Sequence, residues 1–192
     1  MFKILKDLRQ KGLSDFQASD SELVERFIKG DEDAFRVLYK RYVNRIFSMA
    51  YRFCRDYETS KDITQEVFLR LYQKKEKYSP EVSFNTFFYR LAYNCILNYI
   101  RDHRTPPVDE WTLHQISSKP PTPEENLSAI EMGKKIEKVL DELPEKQKTA
   151  FILNKIEGLS YNEIAEVMNI NLNLVKSLIH RATLKILEVE DE

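Results

Sequence analysis

Glycine, cysteine and histidine are scarce in this chain of 192 residues, and each scarcity excludes a kind of site. Four glycines leave no Gly-rich loop that could cradle a phosphate. Two cysteines and three scattered histidines lack the ligand spacing of a metal site, and no nucleophile stands beside a base in the sequence. We therefore expect a protein that is not an enzyme and holds no metal or cofactor, with Cys54 and Cys95 as reduced residues of the core.

Long apolar runs are also missing. No segment approaches the length of a membrane span or a signal peptide, so we expect a cytoplasmic protein without membrane insertion. Charged residues make up 32% of the chain, yet the net charge is only −1. Charged helix formers dominate, turn residues are few and no alternation of the β-strand type occurs, which predicts an all-α fold. Nucleic-acid binding must then be judged from local charge.

The prolines divide the chain into two parts. Five of the seven lie between Pro106 and Pro123, where the lost backbone donors and fixed φ angles oppose a helix. We predict a flexible linker over residues 105–124, which joins a helical domain at 20–104 to a smaller one at 125–192. Residues 1–19 are either a short amphipathic helix or a disordered arm.

Apolar residues spaced by three and four predict four helices in the first domain. The first follows the capping-box pattern Ser19–Glu22 and stops at Gly30. The second carries its apolar stripe from Phe35 to Phe53, the third follows Thr59, and the fourth runs from about Ser83 to Asp102.

The second domain carries the strongest local pattern, between Tyr161 and His180. Ala165 is small where a second helix would cross, and Asn169 tolerates the left-handed turn four residues later. These features favour a helix-turn-helix over a plain helical hairpin. Its second helix, predicted over 171–187, has no acid, and its positive charges are those expected for phosphate contact. The basic residues are Lys176, His180, Arg181 and Lys185.

Two further faces are polar. The fourth helix places residues suited to single-stranded DNA opposite its buried stripe, although aromatic residues on a helix more often serve packing. These residues are Tyr89 near the edge, Arg90, Tyr93, Asn94, Leu97 and Arg101. The third helix has a polar face of Asp62, Gln65, Glu66 and Arg70. On physical grounds alone, such a face is a solvent-exposed surface.

Together these pieces resemble the sigma-70 superfamily of RNA polymerase factors, specifically its extracytoplasmic-function (ECF) group. Asp62–Phe68 resembles region 2.2, and Ser83–Asn94 resembles regions 2.3 and 2.4. Leu143–Lys148 and Glu157–Ala165 resemble region 4. The resemblance implies a factor that binds core RNA polymerase and directs initiation at promoters, by recognising the −10 element with region 2 and the −35 element with region 4.

The resemblance also implies partners and site residues. The partners are the clamp helices of the largest polymerase subunit, the flap of the second-largest subunit, promoter DNA and an anti-sigma factor. The implied core-binding residues are Asp62, Gln65, Glu66 and Arg70. The implied −10 residues are Tyr78, Ser83, Asn85, Tyr89, Arg90, Tyr93, Asn94 and Arg101. The implied −35 residues are Asn173, Lys176, Ser177, His180, Arg181 and Lys185. The Tyr78–Phe84 loop would capture a flipped −10 base, and the linker with Trp111 would thread toward the polymerase cleft.

Three positions depart from the family pattern. Phe87 stands where the group usually has Trp, Leu174 replaces a Thr, and Leu178 replaces an Arg. Leu178 has two interpretations: it shares a buried stripe with Val175 and Ala182, or it faces DNA in place of a lost phosphate contact.

Two rival functions remain open on the sequence. A stand-alone helix-turn-helix regulator would bind duplex DNA without polymerase, whereas an interaction protein would hold polymerase without DNA. A gel shift on duplex DNA, with and without core polymerase, separates the stand-alone regulator from a sigma factor.

Limited proteolysis of the free protein tests the linker. A Pro-rich segment without periodic apolar content should be open to proteases, so the first cuts should fall between Thr105 and Glu124 and release two helical fragments. First cuts inside either domain, with the linker resistant, would contradict this expectation.

Overall fold

The computed structural model describes residues 18–102 and 125–190 of the chain, and within these ranges it is all-helical. Eight α-helices occur there: α1 (Asp20–Ile28), α2 (Glu32–Cys54), α3 (Tyr57–Lys74), α4 (Phe84–Asp102), α5 (Glu125–Glu142), α6 (Glu145–Phe151), α7 (Tyr161–Met168) and α8 (Leu172–Glu190). None of the described helices is long and apolar enough to cross a membrane. The predicted linker and nearly all of the N-terminal arm lie outside the described residues.

Helices α1 to α4 form the first domain, and polar caps fix where they begin. The Glu22 N–H donates to Ser19 Oγ at the start of α1, and Gly30 follows that helix at φ +94°. Asp56 accepts from the Thr59 N–H, so α3 begins at Tyr57, earlier than the start predicted after Thr59. The sequence reading missed this cap, which satisfies a backbone donor at the helix N-terminus.

Aromatic rings fill the core of the first domain. Phe84 and Phe88 stack with centroids 5.4 Å apart, and Tyr42 meets Phe88 edge-on at 5.1 Å. Phe87, which departs from the family Trp, is half-buried and packs edge-on against Tyr78. An aromatic contact is therefore kept at this position.

The two cysteines are free and lie in or against this core. Burial raises the pKa of Cys54 to about 12 and that of Cys95 to about 11. Both thiols therefore stay protonated at neutral pH and act as small apolar residues.

Helices α5 to α8 form the second domain, with a helix-turn-helix made by α7 and α8. The capping box at its start is complete: the Glu163 N–H donates to Ser160 Oγ, and the Ser160 N–H donates to Glu163 Oε2 at 2.9 Å. Asn169 takes the left-handed conformation at φ 53°, as predicted, and turns the chain into α8. Helix α8 then packs on α5, α6 and α7.

The two domains contact each other directly. Helix α7 lies against α4, and α5 touches α2. One continuous cluster of buried apolar side chains runs from the first domain into α7 and α8, while a second, smaller cluster joins α5 to α8. The described parts of the chain therefore form one closed assembly.

Leu178 is 8% exposed, which confirms its buried interpretation and rejects the DNA-facing one. A Leu178→Arg variant places an unpaired charge in a small domain and should lose about 3–5 kcal/mol of stability. Leu174→Arg is the matched control on the same helix, because Leu174 is 38% exposed and surface changes shift stability by about 0.5 kcal/mol or less. Thermal melts of both variants, followed by circular dichroism, measure the difference, and equal melts would contradict the placement.

Candidate nucleic-acid and polymerase interfaces

The polar face of α3 borders a groove between α3 and α4. Ile63, Val67, Phe68 and Leu71 turn into the core, which leaves the acidic and amide side chains of the same helix outward. The groove is lined by Asp62, Ile63, Glu66, Arg70, Cys95 and Asn98. Gln65 is exposed on the same helix. The structure thus brings Asp62, Glu66 and Arg70, three of the four residues predicted to bind core polymerase, together in one groove.

Glu66 and Arg70 form an ion pair in this groove, with Arg70 Nε 2.6 Å from Glu66 Oε1. This hydrogen bond raises the pKa of Arg70 above its ordinary value. The pair is partly exposed, so it fixes side-chain orientation more than it stabilises the fold. The groove offers acidic and amide acceptors beside a positioned guanidinium, a pattern suited to a polar protein partner.

The outer face of α8 carries the residues predicted for −35 DNA. Val175, Ile179 and Ala182 point into the domain, and the N-terminus of the helix is capped where the Leu174 N–H donates to Asn171 Oδ1 at 2.8 Å. Ser177 is half-buried. The exposed predicted residues are Asn173, Lys176, His180, Arg181 and Lys185. Four of these can be cationic, and all five line the helix that a helix-turn-helix presents to the major groove.

The residues predicted for −10 DNA divide into exposed and covered sets. Asn94, Arg101 and Ser83 are exposed, whereas Tyr89 is 0% and Tyr93 5% exposed. The expectation of an exposed Tyr93 opposite the buried stripe, with Tyr89 near its edge, is wrong for this structure. Tyr89 packs against Tyr42 and Phe88 of its own domain, and the second domain packs against α4.

The remaining −10 residues make contacts within the protein. Tyr78 is buried and packs against Phe84 and Phe87. The Asn85 side-chain oxygen lies 2.5 Å from the Tyr42 hydroxyl. Arg90 is half-exposed, and its Nη2 lies 3.7 Å from Glu166 Oε2 of α7.

A buried carboxylate of the second domain meets this same face. Glu157 Oε2 accepts hydrogen bonds from the Tyr89 hydroxyl at 2.5 Å and from Arg45 Nε at 2.9 Å. Arg45 Nη2 also donates to the Glu157 carbonyl at 2.8 Å. Burial, followed by the negative charge of Glu157, raises the pKa of Tyr89 well above its usual range, so this phenol stays protonated and remains a donor.

A second ionic contact joins α2 to α5. Arg52 Nε lies 3.1 Å from Glu137 Oε1, while Arg55 Nη2 lies 2.8 Å from Glu137 Oε2 and 2.7 Å from Asp141 Oδ2. Lys148 also donates to Asp141, at 2.7 Å. Burial lowers the pKa of Lys148, and Asp141 partly offsets that shift.

The sequence reading did not identify these interdomain residues. Arg45, Arg52 and Arg55 are spaced by seven and three along or just after α2, so they share one side of the helix. That spacing was the available signal, although it does not reveal which acids the arginines meet. Among the described residues, no group of His, Cys, Asp or Glu is arranged to hold a metal ion.

Comparison with known proteins agrees with this geometry. The family model for sigma-70 region 2 matches residues 38–105, and that for sigma-70, region 4 matches residues 133–186. The chain is 33% identical over 175 residues to the ECF RNA polymerase sigma-E factor of Haemophilus influenzae, with 86% of this chain and 92% of that protein covered. It is 30% identical over 167 residues to the ECF RNA polymerase sigma factor SigW of Bacillus subtilis, with 82% and 89% covered.

Two solved structures share the fold. CnrH in complex with the cytosolic domain of CnrY superposes with a TM-score of 0.68 at 20% identity, over 90% of this chain and 97% of that chain. The sigma factor RpoE in complex with the anti-sigma factor NepR from Bartonella quintana gives 0.66 at 16% identity, over 82% and 96%.

A helix-turn-helix with a basic second helix, set beside a four-helix domain with a polar groove, defines a two-domain, DNA-binding transcription factor. The family matches and the relatives covered over most of their length make the assignment specific: this chain belongs to the ECF group of the sigma-70 family. It is a non-enzymatic factor that directs RNA polymerase to initiate at specific promoters. The resemblance, the function and the non-enzymatic class predicted from the sequence are confirmed.

Proposed function

We propose that this factor binds core polymerase through the α3 groove and recognises the −10 element with α4 and the −35 element with α8. In this proposal residues 20–104 are region 2 and residues 125–192 are region 4. The Pro-rich segment 105–124 joins them as a linker, and residues 1–19 are an arm. The protein works in the cytoplasm, where RNA polymerase is found. The observation that carries the proposal is the gathering of Asp62, Glu66 and Arg70 in one groove.

The groove supports polymerase binding through its chemistry. Its acidic, amide and guanidinium groups can form charge-assisted hydrogen bonds with a polar helical partner such as the clamp helices. Glu66 already positions Arg70, so little side-chain freedom is lost when a partner docks. The flap of the second-largest subunit would be the partner of region 4.

Region 4 is suited to duplex DNA and α4 to unpaired DNA. Lys176, Arg181 and Lys185 give the exposed face of α8 three fixed positive charges for phosphate contact. Tyr89 and Tyr93 supply aromatic faces for stacking, with Arg90 and Arg101 nearby as cations. The tyrosines reach nucleic acid only when α4 is uncovered.

An anti-sigma factor is the further partner that we propose. Two structures with this fold are those of CnrH bound to the cytosolic domain of CnrY and of RpoE bound to the anti-sigma factor NepR. A protein that covers the same polar surfaces would keep this factor from core polymerase.

Replacing Asp62 by Arg and Gln65 by Ala together should abolish binding to core polymerase, because Asp62 lines the groove and Gln65 is exposed on the same helix. Helicity should be unchanged, since exposed substitutions usually alter stability by about 0.5 kcal/mol or less. The matched control is Glu58→Arg with Gln73→Ala, which makes the same changes at exposed positions of α3 outside the groove. Co-purification with core enzyme measures the effect, and normal recovery of the groove variant would refute this site.

Tyr93→Ala should impair promoter melting more than closed-complex binding. Stacking of one base on an aromatic side chain is worth roughly 1–3 kcal/mol, and this contact forms only with unpaired bases. Permanganate reactivity of promoter thymines measures melting, and Tyr57→Ala, at a tyrosine 61% exposed on α3, is the control. Unchanged melting in Tyr93→Ala would assign Tyr93 to packing alone.

A further inference from the structure

The first turn of α8 exposes two leucines at the end of the helix that enters DNA. Leu172 is 36% and Leu174 38% exposed, and Asn173 between them is also exposed. The side chains that hold α8 in its domain begin only at Val175, which is fully buried. A single exposed leucine is ordinary on a protein surface. These two, however, flank the position from which a helix-turn-helix contacts the edges of the bases.

The polar groups that this turn can offer to DNA are few. Asn171 caps the helix, because its Oδ1 accepts the Leu174 N–H at 2.8 Å and its carbonyl accepts the Val175 N–H at 3.2 Å. The turn Leu172–Val175 contains no Lys, Arg or His, and Arg or Lys is the usual reader of guanine. The turn therefore presents the Asn173 amide and two apolar side chains to the bases.

Apolar side chains recognise one group in the major groove. Only thymine presents a methyl group there, and apolar side chains discriminate it by contact with that methyl. An Asn side chain is suited to adenine, because it can pair with N6 and N7 together. Leu172, Asn173 and Leu174 therefore all match A·T base pairs.

Basic side chains continue the two rows that the leucines begin. Lys176 follows Leu172 by four positions and Arg181 follows Leu174 by seven, and residues with these spacings share a side of a helix. Lys176 and Arg181 are both exposed. Each can bind a phosphate, so the two rows direct their cations to the DNA backbone while the leucines lie at the end that reaches the bases.

We propose that Leu172 and Leu174 read thymine in the −35 element, each by contact of its side chain with the 5-methyl group of a different thymine in the major groove. Asn173 lies between them and pairs with adenine. The contact is apolar, so it adds preference for thymine without adding a phosphate contact. This inference rests on the proposed binding of region 4 to −35 DNA.

Replacement of thymine by deoxyuridine tests the contact, because it removes the 5-methyl group and leaves the hydrogen-bonding edge of the base unchanged. Holoenzyme made from the full chain and core polymerase first selects its preferred duplexes from a pool randomised over both promoter elements. Each thymine of the selected −35 element is then replaced in turn. Burial of one methyl group contributes about fourfold to an equilibrium constant. The wild-type holoenzyme should therefore lose about fourfold in affinity at each of two thymines.

Leu172→Ala and Leu174→Ala should each lose the preference for thymine over uracil at one of these positions and keep it at the other. Leu187→Ala is the matched control, because Leu187 is 47% exposed on the same helix, about 20 Å from Leu174. It should keep both preferences. The salt dependence of binding should be unchanged in all three leucine variants, whereas Lys176→Ala should lower its slope by about one unit.

The proposal is overturned if the wild-type holoenzyme binds the thymine and uracil duplexes equally, or if the selected −35 element has no thymine on either strand. A leucine whose truncation keeps both preferences loses the contact proposed for it, and loss of either preference in Leu187→Ala would show that the effect is not local. Failure of the proposed −35 site is distinguishable from these outcomes. The selection would then yield no −35 sequence at all, and Lys176→Ala would leave the salt slope unchanged.

Discussion

The carboxylate of Glu157 is the constraint that determines how the two halves of this molecule are arranged. It lies 2.9 Å from Arg45 Nε and 2.5 Å from the Tyr89 hydroxyl, with almost no exposure to water. A buried charge of this kind is tolerated only when its partners are present. The contact of Glu157 with Arg45 and Tyr89 therefore forms only when the two domains pack in this arrangement. Arg52 of α2 pairs in the same way with Glu137, and Arg55, just after α2, pairs with Asp141.

The packing of the two domains leaves some polar surfaces exposed to solvent and covers others. The α3 groove and the outer face of α8 stay open in the closed form. Tyr89 and Tyr93 of α4 are covered.

Much of the fold could be predicted from local sequence. The cap at Ser19, the left-handed Asn169 and the apolar stripes depend on residues within a few positions of each other, and all were identified. The cap at Asp56 was missed, which shifted the expected start of α3 from Tyr57 to the residues after Thr59. Only the packed structure decides between a buried and a DNA-facing Leu178, because the spacing of apolar residues along a helix does not show which residues at the edge of the stripe are buried.

The closed face could not be predicted, because its contacts are remote in sequence. Arg45 and Glu157 are 112 residues apart, and Tyr89 and Glu157 are 68 apart. Local periodicity placed Tyr93 opposite the buried stripe of α4 and Tyr89 near its edge. Tyr89 packs against Tyr42 of region 2 and donates to Glu157 of region 4, so contacts remote in sequence complete its burial.

Calorimetric unfolding of the wild-type chain tests most directly whether the two domains form one unit. A shared apolar cluster and a buried ion pair couple their unfolding, so the account predicts one transition in which the calorimetric and van't Hoff enthalpies agree. Two transitions, with one domain melting while the other keeps its full enthalpy, would contradict it.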